Sequence, residues 1–511
     1  MKRFLRTLSL AGLTAILVLV GGCDITDLNE DPNVATEAAT GNLMTNAQID
    51  FANIYWRDYA GAFWMRYAQY LTTNQYTDGD RFRFPSRRPG ANNFNWETMY
   101  FVLNDLEEIK RLNRADPEAT GAFGPADNQI AMATIMQAFV LHTLTDIYGP
   151  IPLEDALKGR SDGTFAPTYS SQETVYGAIL DSLTQASNRI DPSAATMTGN
   201  DLVFSGDMDR WKKFANALKM RVAIRMSDQD PATAETALQE ALDAGTFESV
   251  DDGAEIAFSS SPPYQNPIFE NYEVDGRDDW AAPEGIVGVM NDNDDPRRSV
   301  YFTDADGDAD NGNQFVGFPY GLEQGPAQAL STSEDFSRPG TAIRQATSPA
   351  ILMLYDEVLF IQAEAAVRGL ISGDADALFE EAVRASMEYW GVTDEAAVDA
   401  YVANLETPTT DNYRQVIGVQ KWLAQYLQGV QGWSTWRRMD FQGILQIPEG
   451  DPGQSSFGKS YPVRMTYPRD EATLNGANLD SAINNLLGGS GASAGDTQGV
   501  LLWWDTEYVS P

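Results

Sequence analysis

Two reactive side chains are nearly missing from this chain of 511 residues, which holds one cysteine and one histidine. With Cys23 alone, no disulfide can form within the chain. With His142 alone, no zinc site built from several Cys and His ligands can be assembled. A histidine-dependent triad would need that residue beside a nucleophile and an orienting acid. His142 stands instead between Leu141 and Leu144 in an apolar stretch, which predicts a packed core histidine. Basic residues are scarce as well, 35 against 73 acidic ones, for a formal net charge of −38. Such a surface repels nucleic acid and anionic lipid and keeps the protein in solution; it also suits cationic ligands or bound calcium. Long apolar runs are the third scarcity, since Leu8–Val20 falls short of the roughly 20 residues of a spanning helix. Glycosidase chemistry, which needs only two carboxylates roughly 5 to 9 Å apart, is left open by so acidic a composition.

What is present begins at the N-terminus. Lys2, Arg3 and Arg6 precede the apolar run, and Gly21-Gly22-Cys23 follows it. This is the layout of a secretory signal, with the cysteine where a bacterial lipoprotein signal places its acylated residue. The expectation is a signal peptide over 1–22, lipidation at Cys23, and an acidic, acylated tether over 23–40 that carries the protein on a membrane by lipid alone. The alternative is an ordinary cleaved signal with an accidental cysteine. Removing Lys2, Arg3 and Arg6 with the signal takes the charge to −41.

The remainder, 43% hydrophobic and 11% aromatic over the whole chain, is rich enough for a sizeable core, and it reads as one domain over 41–511. Apolar residues at helical spacing predict a helix over Asn128–Tyr148, stopped by Gly149-Pro150. Ser170 and Glu173 fit a capping box opening a helix to about Ile190. Met208–Met226 is helical, and Asp230-Pro231 starts a helix that Gly245 closes. Helices are expected over Ala350–Arg368, ended by Gly369, over Asp374–Trp390, ended by Gly391, and over about Tyr413–Gln428. Alanines at 363, 365, 366, 382 and 385 let the first two approach closely. That hairpin and the pair at 211–245 resemble tetratricopeptide units, without the 34-residue spacing of a regular array. The predicted fold is therefore mostly α, with tetratricopeptide-like helix pairs as scaffold. Long irregular stretches at 76–95, 246–348 and 440–475 pack on one side, the second a loop-rich insertion. Ordered loops of this length usually carry function.

Aromatic side chains in these loops are candidates for stacking on a ligand. Tyr76, Phe82 and Trp96 flank Arg81, Arg83, Arg87 and Arg88, a basic cluster in an acidic chain, and Tyr264, Trp280 and Tyr320 lie in the insertion. The arginines could bind an acidic ligand, dock a partner or balance local acid. Asp304, Asp306, Asp308 and Asp310 alternate along one loop, a pattern suited to the oxygen shell of a structural calcium. The run departs from an EF-hand, with Ala309 at the sixth position and Phe315 at the twelfth counted from Asp304. A solvated acidic loop is the competing reading, and no cofactor is otherwise required.

In their order along the chain, several segments resemble the SusD/RagB family of outer-membrane nutrient-binding lipoproteins. They are Leu28–Asn33, Thr145–Pro152, Trp211–Arg225, Leu354–Ala365, Glu388–Val392, Gln420–Tyr426, Trp433–Arg438, Pro462–Tyr467 with Asn475 and Asn478, and Trp503-Trp504-Asp505. The resemblance implies helix pairs with irregular loops packed on them and a lipid anchor at the outer membrane, facing outward. It implies a SusC-like TonB-dependent transporter as partner, over which the lipoprotein sits as a hinged lid. It implies an oligosaccharide or peptide ligand, no catalytic role and no nucleic acid. A surface hydrolase using two loop carboxylates, or a structural lid with no ligand site, are the alternatives.

Overall fold

The computed structural model describes residues 38–56, 61–83, 87–305, 314–333, 335–450, 458–487 and 495–511. The helices of seven residues or more are α1 (Thr40–Trp56), α2 (Gly61–Tyr67), α3 (Pro89–Ala115), α4 (Ala126–Tyr148), α5 (Gln172–Arg189), α6 (Met208–Met226) and α7 (Pro231–Ala244). They continue with α8 (Glu284–Asp292), α9 (Gln324–Ser333), α10 (Tyr355–Val367), α11 (Ala375–Tyr389), α12 (Glu395–Ala403), α13 (Tyr413–Ala424), α14 (Gly429–Met439) and α15 (Gly476–Asn485). All lie in the body Thr40–Pro511.

Short-range chemistry sets many of the boundaries. The side chains of Ser171, Asp207, Asp230, Asp374 and Asp394 each accept a hydrogen bond from a backbone N–H in the first turn of the helix that follows, which satisfies donors the helix cannot. Gly369 and Gly391 follow α10 and α11 at φ 73° and 72°, a left-handed conformation that glycine adopts without a Cβ clash.

Packing follows the chain order. α1 lies against α3, α3 against α4, α4 against α5, α5 against α6 and α6 against α7, an array of helix pairs. α10 packs on α6 and, most extensively, on α11, while α14 sits against α2, α4 and α13. Ala363, Ala365, Ala382 and Ala385 are all buried, as expected of two helices in close approach. α4 is the one described helix long and apolar enough to cross a membrane, and here it is a core helix. The fold is mostly α with tetratricopeptide-like pairing.

Three two-stranded antiparallel ladders tie the irregular segments to this array. β1 (Thr72–Thr73) pairs with β5 (Trp280–Ala281), β2 (Ile151–Pro152) with β3 (Tyr169–Ser170), and β4 (Ala254–Ile256) with β6 (Ala350–Met353).

Four expectations change. Ala350–Met353 is a strand, not the first turn of α10, because its four apolar side chains are all buried against β4. The cap of α5 is Ser171, whose hydroxyl accepts from Thr174 N, while Ser170 ends β3. The helix from Tyr413 stops at Ala424, and α14 begins at Gly429. The stretch 76–95 is irregular only in its first part, since α3 opens at Pro89 and includes Trp96.

Candidate functional site

The segment after β1 is fixed from below. Asp80 is buried, and its Oδ2 accepts from Thr73 N at 2.7 Å and from the hydroxyls of Thr72 and Thr73 at 2.9 and 3.0 Å. Arg81 donates to Gly321 O at 2.5 Å and pairs with Glu323 at 2.7 Å, and Glu323 also takes Arg83 at 3.5 Å. Phe82 lies among Tyr461, Tyr67 and Tyr320, with ring centroids 4.8, 5.8 and 6.4 Å away. Tyr320 donates its hydroxyl to Arg66 O at 3.0 Å. Asn74 bridges to the insertion through Asp279 O and Asp278 O.

Tyr76 stands at the tip of this segment. Its φ of 55° is a left-handed conformation that costs a side-chain-bearing residue energy, so the surrounding hydrogen bonds must enforce it. The residue is 52% exposed. The guanidiniums of Arg277 and Arg88 lie 5.4 and 5.9 Å from its ring centroid, and Arg277 is also paired with Asp279. The result is a half-exposed ring with two guanidiniums against it.

The seven aromatic and arginine candidates thus go to three places. Tyr76, Arg81, Phe82, Trp280 and Tyr320 gather around the β1–β5 ladder, but only Tyr76 offers its ring to solvent; the other four are buried and form the bed. Trp96 is buried among Tyr148, Tyr467 and Tyr169. Tyr264, 47% exposed, borders a separate apolar pocket of about 290 Å³ with Ile49, Ala52, Leu202, Ile256 and Phe258. Phe82, Trp280 and Tyr320 lie outside the long helices, yet their rings are buried. Cys23, Asp306, Asp308 and Asp310 lie outside the described residues, and Asp304 accepts from Gln314 N at 3.2 Å. Arg277 gave no sequence signal, because nothing local links it to a tyrosine two hundred positions earlier.

The motif residues lie elsewhere, in a buried ionic network. Arg221 holds Glu357, which also has Lys421 at 3.9 Å. Glu364 takes Arg438 and Arg368, and Arg368 continues to Asp228 at 2.7 Å. Arg437 lies over the rings of Trp433 and Trp504 at 3.8 and 4.9 Å. Arg464 donates to Tyr148 O and pairs with Asp496. The neighbouring cations hold both Glu357 and Glu364 down at about 2 against the desolvation of burial. His142 is buried 3.3 Å from Asp146, and burial pushes it down to about 4. Glu357, Glu364, Arg221 and Arg438 are buried, and their pairs bind α6, α10 and α14 to one another.

A larger concavity, about 950 Å³, runs between α3, α4 and the segment 152–162. Glu107 and Glu108 face it, but each is held by two cations, and Arg111 draws Glu108 below the usual carboxylate range. A general acid needs the opposite shift, so Glu108 is not poised as one.

Comparison with known proteins agrees with the fold. The sequence model of the family SusD-like_2, described as starch-binding and associating with the outer membrane, matches residues 32–468. No curated protein matches the chain in sequence. Among solved structures, one titled as a chitin-binding protein superposes with a TM-score of 0.77 at 24% identity, covering 92% of this chain and 100% of that one. A chitin-binding SusD homolog from Flavobacterium johnsoniae gives 0.75 at 23% identity, covering 92% and 98%. A SusD homolog from Bacteroides uniformis gives 0.73 at 24%, covering 91% and 99%.

Proposed function

The chain belongs to the SusD-like family of proteins that associate with the outer membrane, and from that premise we propose that it captures a nutrient oligosaccharide at the cell surface and hands it to a SusC-like TonB-dependent transporter. In this reading the protein is a binder and not an enzyme. Cys23 carries the acyl anchor, and the helix array provides the rigid face that docks on the transporter. The family description and the two chitin-binding structural neighbours favour a glycan over a peptide.

The observation that carries the proposal is Tyr76, an exposed ring in an enforced left-handed conformation above a buried aromatic and ionic bed. Sugar rings present C–H faces that pack on aromatic rings, and the half-exposed ring of Tyr76 is accessible to them. Arg88 and Arg277 supply N–H donors beside it for ring hydroxyls.

Calorimetric titration with starch- and chitin-derived oligosaccharides tests the capture step. Binding by the intact protein, weakened at least tenfold by Tyr76→Ala at unchanged melting temperature, is the expected result; equal binding by the variant overturns the site. Recovery of a TonB-dependent barrel in near-equal amount with the tagged protein, from detergent-solubilised outer membranes, is expected for the transfer step.

A further inference from the structure

The residues lining the groove beside α3 include more cations than carboxylates, unlike the chain as a whole. Its lining carries five cations, Lys110, Arg111, Arg114, Lys158 and Arg160, against three carboxylates, Glu107, Glu108 and Asp162, whereas the whole chain has 35 basic and 73 acidic residues. The pairing explains the excess. Glu107 receives Lys110 at 2.7 Å and Arg114 at 3.3 Å, and Glu108 receives Arg111 at 2.7 Å and Arg160 at 3.0 Å. Four cations therefore share two carboxylates. Gln137, itself buried, accepts from Lys110 at 2.7 Å and fixes its ammonium at the groove wall.

The floor is of another kind. Leu103, Leu141, Leu153 and Leu157 line it with Pro152 and Ala156, and no aromatic ring lines it among the described residues. A sugar ring would find no aromatic face there. An aliphatic chain would find side chains of its own kind, and the volume of about 950 Å³ falls within the range of small-ligand sites, about 300 to 1,000 Å³. We infer that this groove binds an anionic amphiphile, its aliphatic chain on the leucine floor and its phosphate or carboxylate head at the rim of Arg111, Arg114 and Arg160. The site is separate from Tyr76 and does not depend on the oligosaccharide reading.

The test uses the full chain carrying Cys23→Ala, so that no acyl group of its own competes, in detergent-free buffer. Dodecyl phosphate below its micelle concentration is titrated by calorimetry, with dodecanol, inorganic phosphate and an oligogalacturonate as comparisons. One dodecyl phosphate per chain is expected, bound at least tenfold more tightly than any of the three. Arg114 and Arg160 are exposed enough to change without unfolding the chain, and the R114Q/R160Q pair is expected to weaken binding at least tenfold. Ser182→Trp, which adds bulk at an uncharged lining position, is expected to abolish it. The inference is overturned if dodecyl phosphate does not bind, or if phosphate, dodecanol or the oligogalacturonate binds as well. It is equally overturned if Ser182→Trp leaves binding intact.

Discussion

Arg221 and Glu357 meet as a two-pronged pair, Nε to Oε1 at 2.8 Å and Nη2 to Oε2 at 2.6 Å, with both side chains shut off from solvent. The second nitrogen also donates to Leu352 O at 2.8 Å, so one guanidinium joins α6, α10 and the end of β6.

Glu357→Gln would leave that guanidinium buried without its counter-charge, a change that typically costs about 3 to 5 kcal/mol. Urea unfolding is expected to show a loss of that order. A loss below about 1 kcal/mol would contradict this view of the pair. Acid has the same target. The folded value of Glu357, about 2, is below its ordinary 4.5, so its contribution is complete above pH 4.5 and disappears as pH falls toward 2.

His142 makes stability depend on pH in a different window. Its folded value of about 4 lies below the ordinary 6.5, so between these values the unfolded chain binds the extra proton and stability rises with pH. Lowering the pH from 7 to 5 should cost about 2 kcal/mol through this residue. The measurable outcome is a smaller difference between urea midpoints at the two pH values in His142→Gln than in the parent.

Trp280 and Tyr76 should separate stability from binding. Trp280 is buried, and truncation to alanine is expected to cost about 3 to 5 kcal/mol, with oligosaccharide binding lost through unfolding of the bed. Tyr76→Ala is expected to leave the melting temperature in place while binding falls. Thermal melts and titrations on the same two variants decide it.

Close packing of α14 on α2 gives a fourth expectation. A Cβ on Gly429 would stand 2.3 Å from Met65 N, and one on Gly432 would stand 2.1 Å from the hydroxyl of Tyr70. That hydroxyl cannot retreat freely, because it donates to Trp422 O at 2.6 Å. Alanine at either position should cost at least about 1 to 3 kcal/mol by overpacking, read as a lower melting temperature, with Gly325→Ala, where a Cβ meets nothing within 4 Å, as the comparison.

Helix chemistry was the legible part of this sequence. Asp230-Pro231 starts α7 and Gly391 follows α11 because caps and left-handed turns are decided by a few adjacent residues. Ala350–Met353 was misread because four apolar residues running into a helix look the same as its first turn; only the distant β4 makes them a strand. The family motifs were visible, but they mark the ionic core around Glu357 and Glu364 and not a binding surface. Phe82, Trp280 and Tyr320 are ligand candidates in the sequence because they lie in long loops, whereas burial depends on where a loop folds back. The groove was invisible, since its cations come from α3 and from a segment forty residues later.

The ladder between β1 and β5, described above as a tie, also sets a schedule. Asn74 and Asp278 bond across 204 positions, and the bed under Tyr76 needs Glu449 for Arg81 and Tyr461 for Phe82. A chain synthesised from its N-terminus cannot complete the contacts of Phe82 until Tyr461 has been delivered. Burial of Phe82 against Tyr461 is therefore a late event, and it reports that nearly the whole chain has been made.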